Sequence, residues 1–403
     1  MTSEIKSPEM SFRTWLALFI LAISTFTIVT TELAPVGLLT PIADGLNTSE
    51  SSIGMTVSLY AWGGALSALL ASVFLGNFPK KILLLTLTMI LAVSNTLSAT
   101  IDSFEVLLVA RVIGSVAHGA FWAMIGATTV AMVPIKYLGI ATSIVFGGVS
   151  AASVLGVPLS NYIGLHFGWR QAFWLMALLS VVVFFGIMLL VPKVTTKSTI
   201  GINALKSVLS SAMQWKIYVA TLLAITAHFA AFTFIEPWLN AQPIFSKDFI
   251  PTILFIYGIA GLGGNFLTGI IIDKHLKTTV TLSALLIGIV LLILGIRAEL
   301  LSRTDILIAI VLWGVAISGI FVGLQTWVLR LAGDEVFPAS AVYVSFFNGA
   351  IGIGALVGAW MVSVLSLHAL FVTAGAAIAL SIFIITTIPT HHSISKKLTE
   401  KAV

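Results

Sequence analysis

Apolar runs of about twenty residues, separated by short polar breaks, repeat along the whole chain. A run of that length is what a helix needs to cross roughly 30 Å of hydrocarbon. The pattern predicts twelve spans, at 13–40, 52–76, 82–101, 105–132, 138–166, 169–191, 215–242, 250–272, 278–297, 304–330, 337–365 and 369–389. The polar turn GLHFGWRQ at 164–171 divides the fifth span from the sixth. One long polar and basic stretch, 191–216, parts six spans from six. It predicts a bundle over 1–192, a linker over 193–214, and a second bundle with a short tail over 215–403.

The two halves echo each other. Tyr60 and Gly64 in span 2 match Tyr257 and Gly261 in span 8, and Gly114 and Gly119 in span 4 match Gly314 and Gly319 in span 10. Phe146-Gly147-Gly148 in span 5 matches Phe347-Asn348-Gly349 in span 11. Four echoes in one order at offsets of about 200 residues, counting the acidic pair described below, point to a duplicated unit. The expected fold is all-α and transmembrane, two pseudo-symmetric six-helix bundles with the working site between them.

Composition narrows the class. Hydrophobic residues make up 59% of the chain and charged residues 9%, against roughly 25% charged in a soluble domain. A net charge of +5 is here a matter of insertion topology, not of nucleic-acid binding. If both termini are cytoplasmic, fifteen lysines and arginines fall on that side. Only Arg170, Lys247, Arg297 and Arg303 fall outside, and Arg111 lies within a span. Both termini are therefore expected in the cytoplasm. The first apolar run is too long for a signal-peptide core and is expected to stay as an anchor. With no cysteine, no GxxxxGK[ST] loop, no HExxH and no metal-spaced cluster, neither an enzyme nor a cofactor is expected.

Against this background a few polar residues stand out. Glu32 lies three residues before Pro35, and Glu236, 204 residues later, directly precedes Pro237. A carboxylate inside a span costs at least ~2.5 kcal/mol on insertion scales and faces protein or a water-filled cavity. Each glutamate is either a structural hydrogen-bond acceptor or a proton carrier. In span 4, Arg111 and His118 are two helical turns apart, with Trp122 beyond. Arg111 either snorkels to the interface or faces inward toward a carboxylate, a carbonyl or substrate oxygens. His228, Phe232 and Glu236 share span 7, which suits a proton relay. His118 and His228 read equally as packed core imidazoles. Tyr60, Trp62 and Trp122 offer faces for stacking, or simply pack, and the amides Gln325 and Asn348 bind hydroxyls or join helices. Gly147, Gly148 and Gly156, with Pro158, and the pair Gly354 and Gly358 read as the packing seam and hinge between the halves. His391 and His392 belong to a solvated tail.

Five stretches carry a family resemblance: TTELAPVGLLTPIADGL at 30–46, SLYAWGGAL at 58–66, ARVIGSVAHGAFW at 110–122, GVPLSNYIGLHFGWRQAFW at 156–174 and TAHFAAFTFIEPW at 226–238. In them the chain resembles the major facilitator superfamily, drug:proton antiporter branch. It is most similar to the bacterial sugar efflux transporters of the SotB type. The resemblance implies a monomeric inner-membrane exporter of sugars, arabinose-like monosaccharides or thiogalactosides, driven by protons through alternating access. It places Arg111 and Gly114 on the span-4 motif linked to proton coupling, and Gly147, Gly156 and Pro158 on the antiporter motif of span 5. Gly269, Asp273, Lys274 and Lys277 fall on the loop motif after span 8. The loop after span 2, LGNFPKKI, lacks the matching aspartate and has Pro79 or Lys80 there. The combined expectation is a sugar held near the midplane among Glu32, Tyr60, Trp62, His118, Trp122, His228, Phe232, Glu236, Gln325 and Asn348. Glu32 and Glu236 would carry protons, His118 and His228 would assist, and Arg111 would tune the first carboxylate. The nearest rival is a multidrug or nucleoside antiporter, and a sugar-sensing receptor is a rival of another class.

Overall fold

A computed structural model describes residues 10–75, 78–134, 137–193, 202–332 and 336–388. The tail bearing His391 and His392, residues 194–201 of the linker, and Gly76 and Asn77 of the span-2 loop lie outside these residues. The described residues form α1 (Phe12–Gly37), α2 (Leu39–Gly45), α3 (Glu50–Phe74), α4 (Lys80–Thr100), α5 (Phe104–Met132), α6 (Leu138–Phe167) and α7 (Trp169–Leu190). There follow α8 (Ile202–Ser210), α9 (Ala212–Thr233), α10 (Ile235–Asn240), α11 (Ile250–Arg297), α12 (Arg303–Leu331), α13 (Val336–Val364) and α14 (Leu367–Thr387).

Eleven of these are long and apolar enough to span a membrane, one fewer than expected, and α11 accounts for the difference. At 48 residues it is about 72 Å long at ~1.5 Å per residue, twice what one crossing needs. Its backbone leaves helical geometry only at His275, with φ −130° and ψ 34°. α11 is therefore two spans, 8 and 9, joined at this kink, and the twelve expected crossings are present. Spans 1 and 7 differ in the opposite sense, for each is two helices. The chain breaks at Leu38, three residues after Pro35, and at Phe234, three before Pro237. A proline removes the N–H that would bond four residues back and crowds that carbonyl, so breaks belong near both.

The duplication is visible in the packing. Within the first half α1 packs on α6 and α7, α3 on α5, and α4 on α7. Within the second, α9 packs on α13 and α14, and α11 on α12 and α14. The halves meet through α3 on α13 and α6 on α11, a pair of contacts exchanged by the same pseudo-two-fold relation.

The basic residues assigned to the cytoplasmic side have a second role. The last carbonyls of a helix lack donors and sit at its negative end. Arg13 and Lys81 donate to the carbonyls of Leu189 (2.5 Å) and Met188 (2.7 Å) at the end of α7. Lys216 and Lys277 donate to those of Thr387 (3.4 Å), Thr386 (2.5 Å) and Ile388 (3.0 Å) at the end of α14. The face where α1 and α9 begin and α7 and α14 end is called the terminal face below.

The glycine seams lie inside the halves, not between them. A Cβ on Gly148 would collide with the Ala22 carbonyl and Thr25 Oγ1 of α1, and one on Gly156 would come within 3.1 Å of Thr30 Oγ1. Cβ atoms on Gly354 and Gly358 would reach the α9 carbonyls of Thr226 (2.5 Å) and Ala230 (2.7 Å). Gly147 and Gly269 face open space, so neither is needed for close packing. Pro158 is accommodated inside α6. Between the halves the backbones approach closely at Gly258, whose Cβ would lie 2.7 Å from Val154 Cα, and at Gly352, whose Cβ would lie 2.9 Å from Ser58 O.

Candidate functional site

Pro35 leaves the carbonyl of Thr31 without its helical donor. Arg111, 0% exposed, supplies one. Its Nη1 donates to Thr31 O at 2.8 Å and its Nη2 to Glu32 O at 3.1 Å, while the guanidinium lies 4.0 Å from the centre of the Tyr60 ring. Asn95 Nδ2 donates to Thr31 Oγ1 at 3.2 Å. Arg111 therefore does not snorkel, and it grips the backbone of α1 instead of the Glu32 carboxylate. That carboxylate turns to His118, with Oε2 3.6 Å from Nε2. Its other oxygen is buried without a partner among the described residues. His118 is edge-on to Tyr60 and Trp122, at 5.4 and 6.3 Å between ring centres. The first half thus contains a carboxylate and an imidazole, both buried and a small shift from a hydrogen bond. Such a pair can hold one proton and pass it on.

Between the halves lies a cavity of about 330 Å³ lined by aromatic side chains of the second half (His228, Phe229, Phe232, Tyr257 and Phe321) and by neutral polar ones, Ser150 and Ser153 from the first half and Ser318, Asn265 and Gln325 from the second. Among the described residues no charged side chain lines it. Phe232 stacks on His228 at 5.3 Å between ring centres. Trp313 Nε1 donates to His228 Nδ1 at 3.1 Å. Indole N–H can only donate, so Nδ1 must keep its lone pair and the ring's proton sits on Nε2. The relay expected of His228 conflicts with this bond, because a proton arriving at Nδ1 would face another N–H. His228 is suited to donating one fixed hydrogen bond into the cavity. Trp313 was not foreseen as a site residue, and its signal in the sequence was only a tryptophan beside Gly314 of span 10.

The remaining candidates are scattered. Glu236 is separated from His228 by the break at Phe234 and lines a second cavity of about 200 Å³ on the face opposite the termini. Trp62 Nε1 donates to the carbonyl of Gly349 at 3.2 Å, tying α3 to α13 across the halves. Asn348 donates to Val344 O of its own helix at 2.9 Å. Gln325 lines the large cavity from its terminal-face end. Asp273 accepts from Arg330 at 2.6 Å, holding the α11 kink to the end of α12, while Lys274 is exposed. Hydrogen bonds joining the halves include Thr40 N and Oγ1 to Glu236, Ser51–Ala359, Trp62–Gly349 and Ser345–Ala65. They run from the opposite face to mid-depth. The halves are held together there.

Two bundles of matched topology around a central cavity, with proline-broken helices on either side of it, are the arrangement of a membrane carrier. Comparison with known proteins settles the family. The profile of the Major Facilitator Superfamily matches residues 14–337 and again 217–402. The chain belongs to that superfamily. Superfamily members of solved structure share its fold. The human organic anion transporter MFSD10 (TETRAN) aligns with a TM-score of 0.68 at 16% identity, over 94% of this chain and 100% of that one. The nucleoside transporter NupG, in a mutant form, aligns with a TM-score of 0.76 at 12% identity, over 93% of this chain and 100% of that one. This superfamily protein is a multi-pass membrane transporter. Its cavity, with aromatic and neutral polar side chains among the described residues of its lining, differs in chemistry from a site built around an anion.

Proposed function

We propose that this transporter exports small neutral polyhydroxylated molecules, sugars among them, in exchange for protons, from a bacterial inner membrane with its terminal face in the cytoplasm. The buried Glu32–His118 pair is the observation that carries the reading. It is the one acid–base pair within ion-pair distance in the interior of the described residues. When protonated it loses a charge, which changes the relative free energies of the two facing states, as coupling requires. Arg111, occupied by two carbonyls, fixes α1 and so places Glu32 against His118. Cargo hydroxyls find Ser150, Ser318, Asn265 and Gln325 in the large cavity, and His228 Nε2 offers a donor.

The lining also favours a second reading. Five aromatic rings around the cavity suit a cargo with a flat apolar face, as in a nucleoside or an aromatic drug, better than a bare pentose. Counterflow from proteoliposomes preloaded with labelled arabinose, a labelled thiogalactoside or labelled uridine separates the two. Exchange of arabinose or thiogalactoside but not uridine is expected for the sugar reading, and uridine alone would replace it. Charged drugs should not exchange.

The role given to His228 has its own check. His228→Ala removes one neutral hydrogen bond, worth ~1 kcal/mol, and is expected to raise the KM for cargo roughly five- to tenfold. Gradient-driven flux should persist at saturating cargo. Its disappearance there would return His228 to the proton path.

A further inference from the structure

On the face opposite the termini, Thr40 of α2 sits between two carboxyl groups. Its Oγ1 is 2.7 Å from Glu50 Oε1, at the start of α3, and 3.0 Å from Glu236 Oε2, on α10 in the other half. A threonine hydroxyl has a single proton to donate. It can satisfy one of these oxygens, and the other contact then sets lone pairs against lone pairs unless that carboxyl carries its own proton. Glu236 Oε2 also accepts from Thr40 N at 3.1 Å and Oε1 accepts from Asn240 Nδ2. With Glu236 buried and Glu50 half-buried, one of the two carboxyls carries the proton and donates it to Thr40 Oγ1, while Thr40 donates onward to the other.

We infer that Glu50 and Glu236 share one proton through Thr40, and that this proton closes the transporter on the face opposite its termini. The site is separate from the Glu32–His118 pair of the proposed function and does not depend on it. Each element packed around the site is consistent with this arrangement. Two other charged side chains line the adjoining cavity, Asp44 of α2 and Lys247 of the 3-10 turn before α11. Both are exposed, and among the described residues neither forms an ion pair with Glu50 or Glu236. From α6 comes the neutral Asn161, and α13 offers the Ala359 carbonyl to Ser51. Arg170 of α7 is held by Asp102 and the Ile101 carbonyl. Among the described residues, therefore, no cation lies within ion-pair distance of either carboxyl. The cavity, half-open and lined by Glu236 and Thr40, gives water and protons access. Loss of the shared proton leaves two like charges on either side of one hydroxyl, which pushes the halves apart. Acid on this side favours the state open at the terminal face, and alkali releases it.

The chain has no cysteine, so spin labels are readily placed. Phe167→Cys on α6 and Ser246→Cys before α11 are exposed positions on opposite halves near the site. Distances between these labels in full-length reconstituted protein are measured from pH 5 to pH 9. The wild type is expected to shift from a short to a long distance as pH rises. Glu50→Gln supplies an amide donor to Thr40 with no titration and should stay short throughout. Thr40→Val should favour the long distance at every pH, and Thr40→Ser should restore the wild-type response. A Glu32→Gln background should leave the shift intact, whatever its effect on transport. A wild-type distance that ignores pH, or a Glu50→Gln variant that shifts with the wild-type midpoint, overturns the inference.

Discussion

Arg111→Met should abolish transport and markedly lower the midpoint of thermal unfolding in detergent. Methionine roughly fills the volume but donates nothing. The carbonyls of Thr31 and Glu32, accepting from Arg111 at 2.8 and 3.1 Å, would be left buried without that donor, at about 1–3 kcal/mol each. Arg111→Lys should recover little, because one ammonium cannot reproduce a planar fork spanning two carbonyls and lying on the Tyr60 ring. The mechanism makes a sharper claim about Pro35. In the Pro35→Ala background residue 35 regains an N–H for the Thr31 carbonyl, so the same Arg111→Met change should cost visibly less. Equal losses in both backgrounds would show that Arg111 acts on something other than the proline break.

Gly258→Leu should leave the protein folded yet cut turnover at least tenfold. At Gly258 even a Cβ would lie 2.7 Å from Val154 Cα and 2.9 Å from Ser153 O, both backbone atoms of α6 in the other half. Such contacts cannot be relieved by a rotamer, so the closed interface would open. The carrier should rest with the face opposite its termini exposed. Leu165, which lines the cavity there, reports the change. In a Leu165→Cys protein, labelling by a membrane-impermeant maleimide should accelerate when Gly258→Leu is added. Unchanged labelling and turnover would mean that the halves do not pack through this glycine.

The fold was legible because its causes are local and repeated. Length and hydropathy of each run specify a span, and the recurrence of Tyr60 with Gly64 as Tyr257 with Gly261 marks the duplication. The boundary between spans 8 and 9 was legible too, for Lys274 and Lys277 mark it and the backbone leaves helical geometry at His275 between them. The site was legible in its members more than in its pairings. Glu32 and His118 stand out in different spans and lie together. Arg111 was expected to tune Glu32 and to reach a carboxylate, a carbonyl or substrate oxygens, and only the folded geometry shows that Pro35 had freed a carbonyl for it. The spacing of His228 and Glu236 suggested one face, but the break at Phe234 sends them to different cavities. Glu50 carried no signal and Trp313 only a faint one, since their significance lies in a hydroxyl and an imidazole brought to them from other elements.

The central claim is that the Glu32–His118 pair couples cargo movement to protons. The most direct test is cargo flux in proteoliposomes, with and without an imposed pH gradient, for the wild type and Glu32→Gln. The gradient should drive wild-type flux uphill. Glu32→Gln should lose that uphill component while still exchanging cargo for cargo. Gradient-driven accumulation that survives in Glu32→Gln would contradict the account and place the coupled proton elsewhere in the protein.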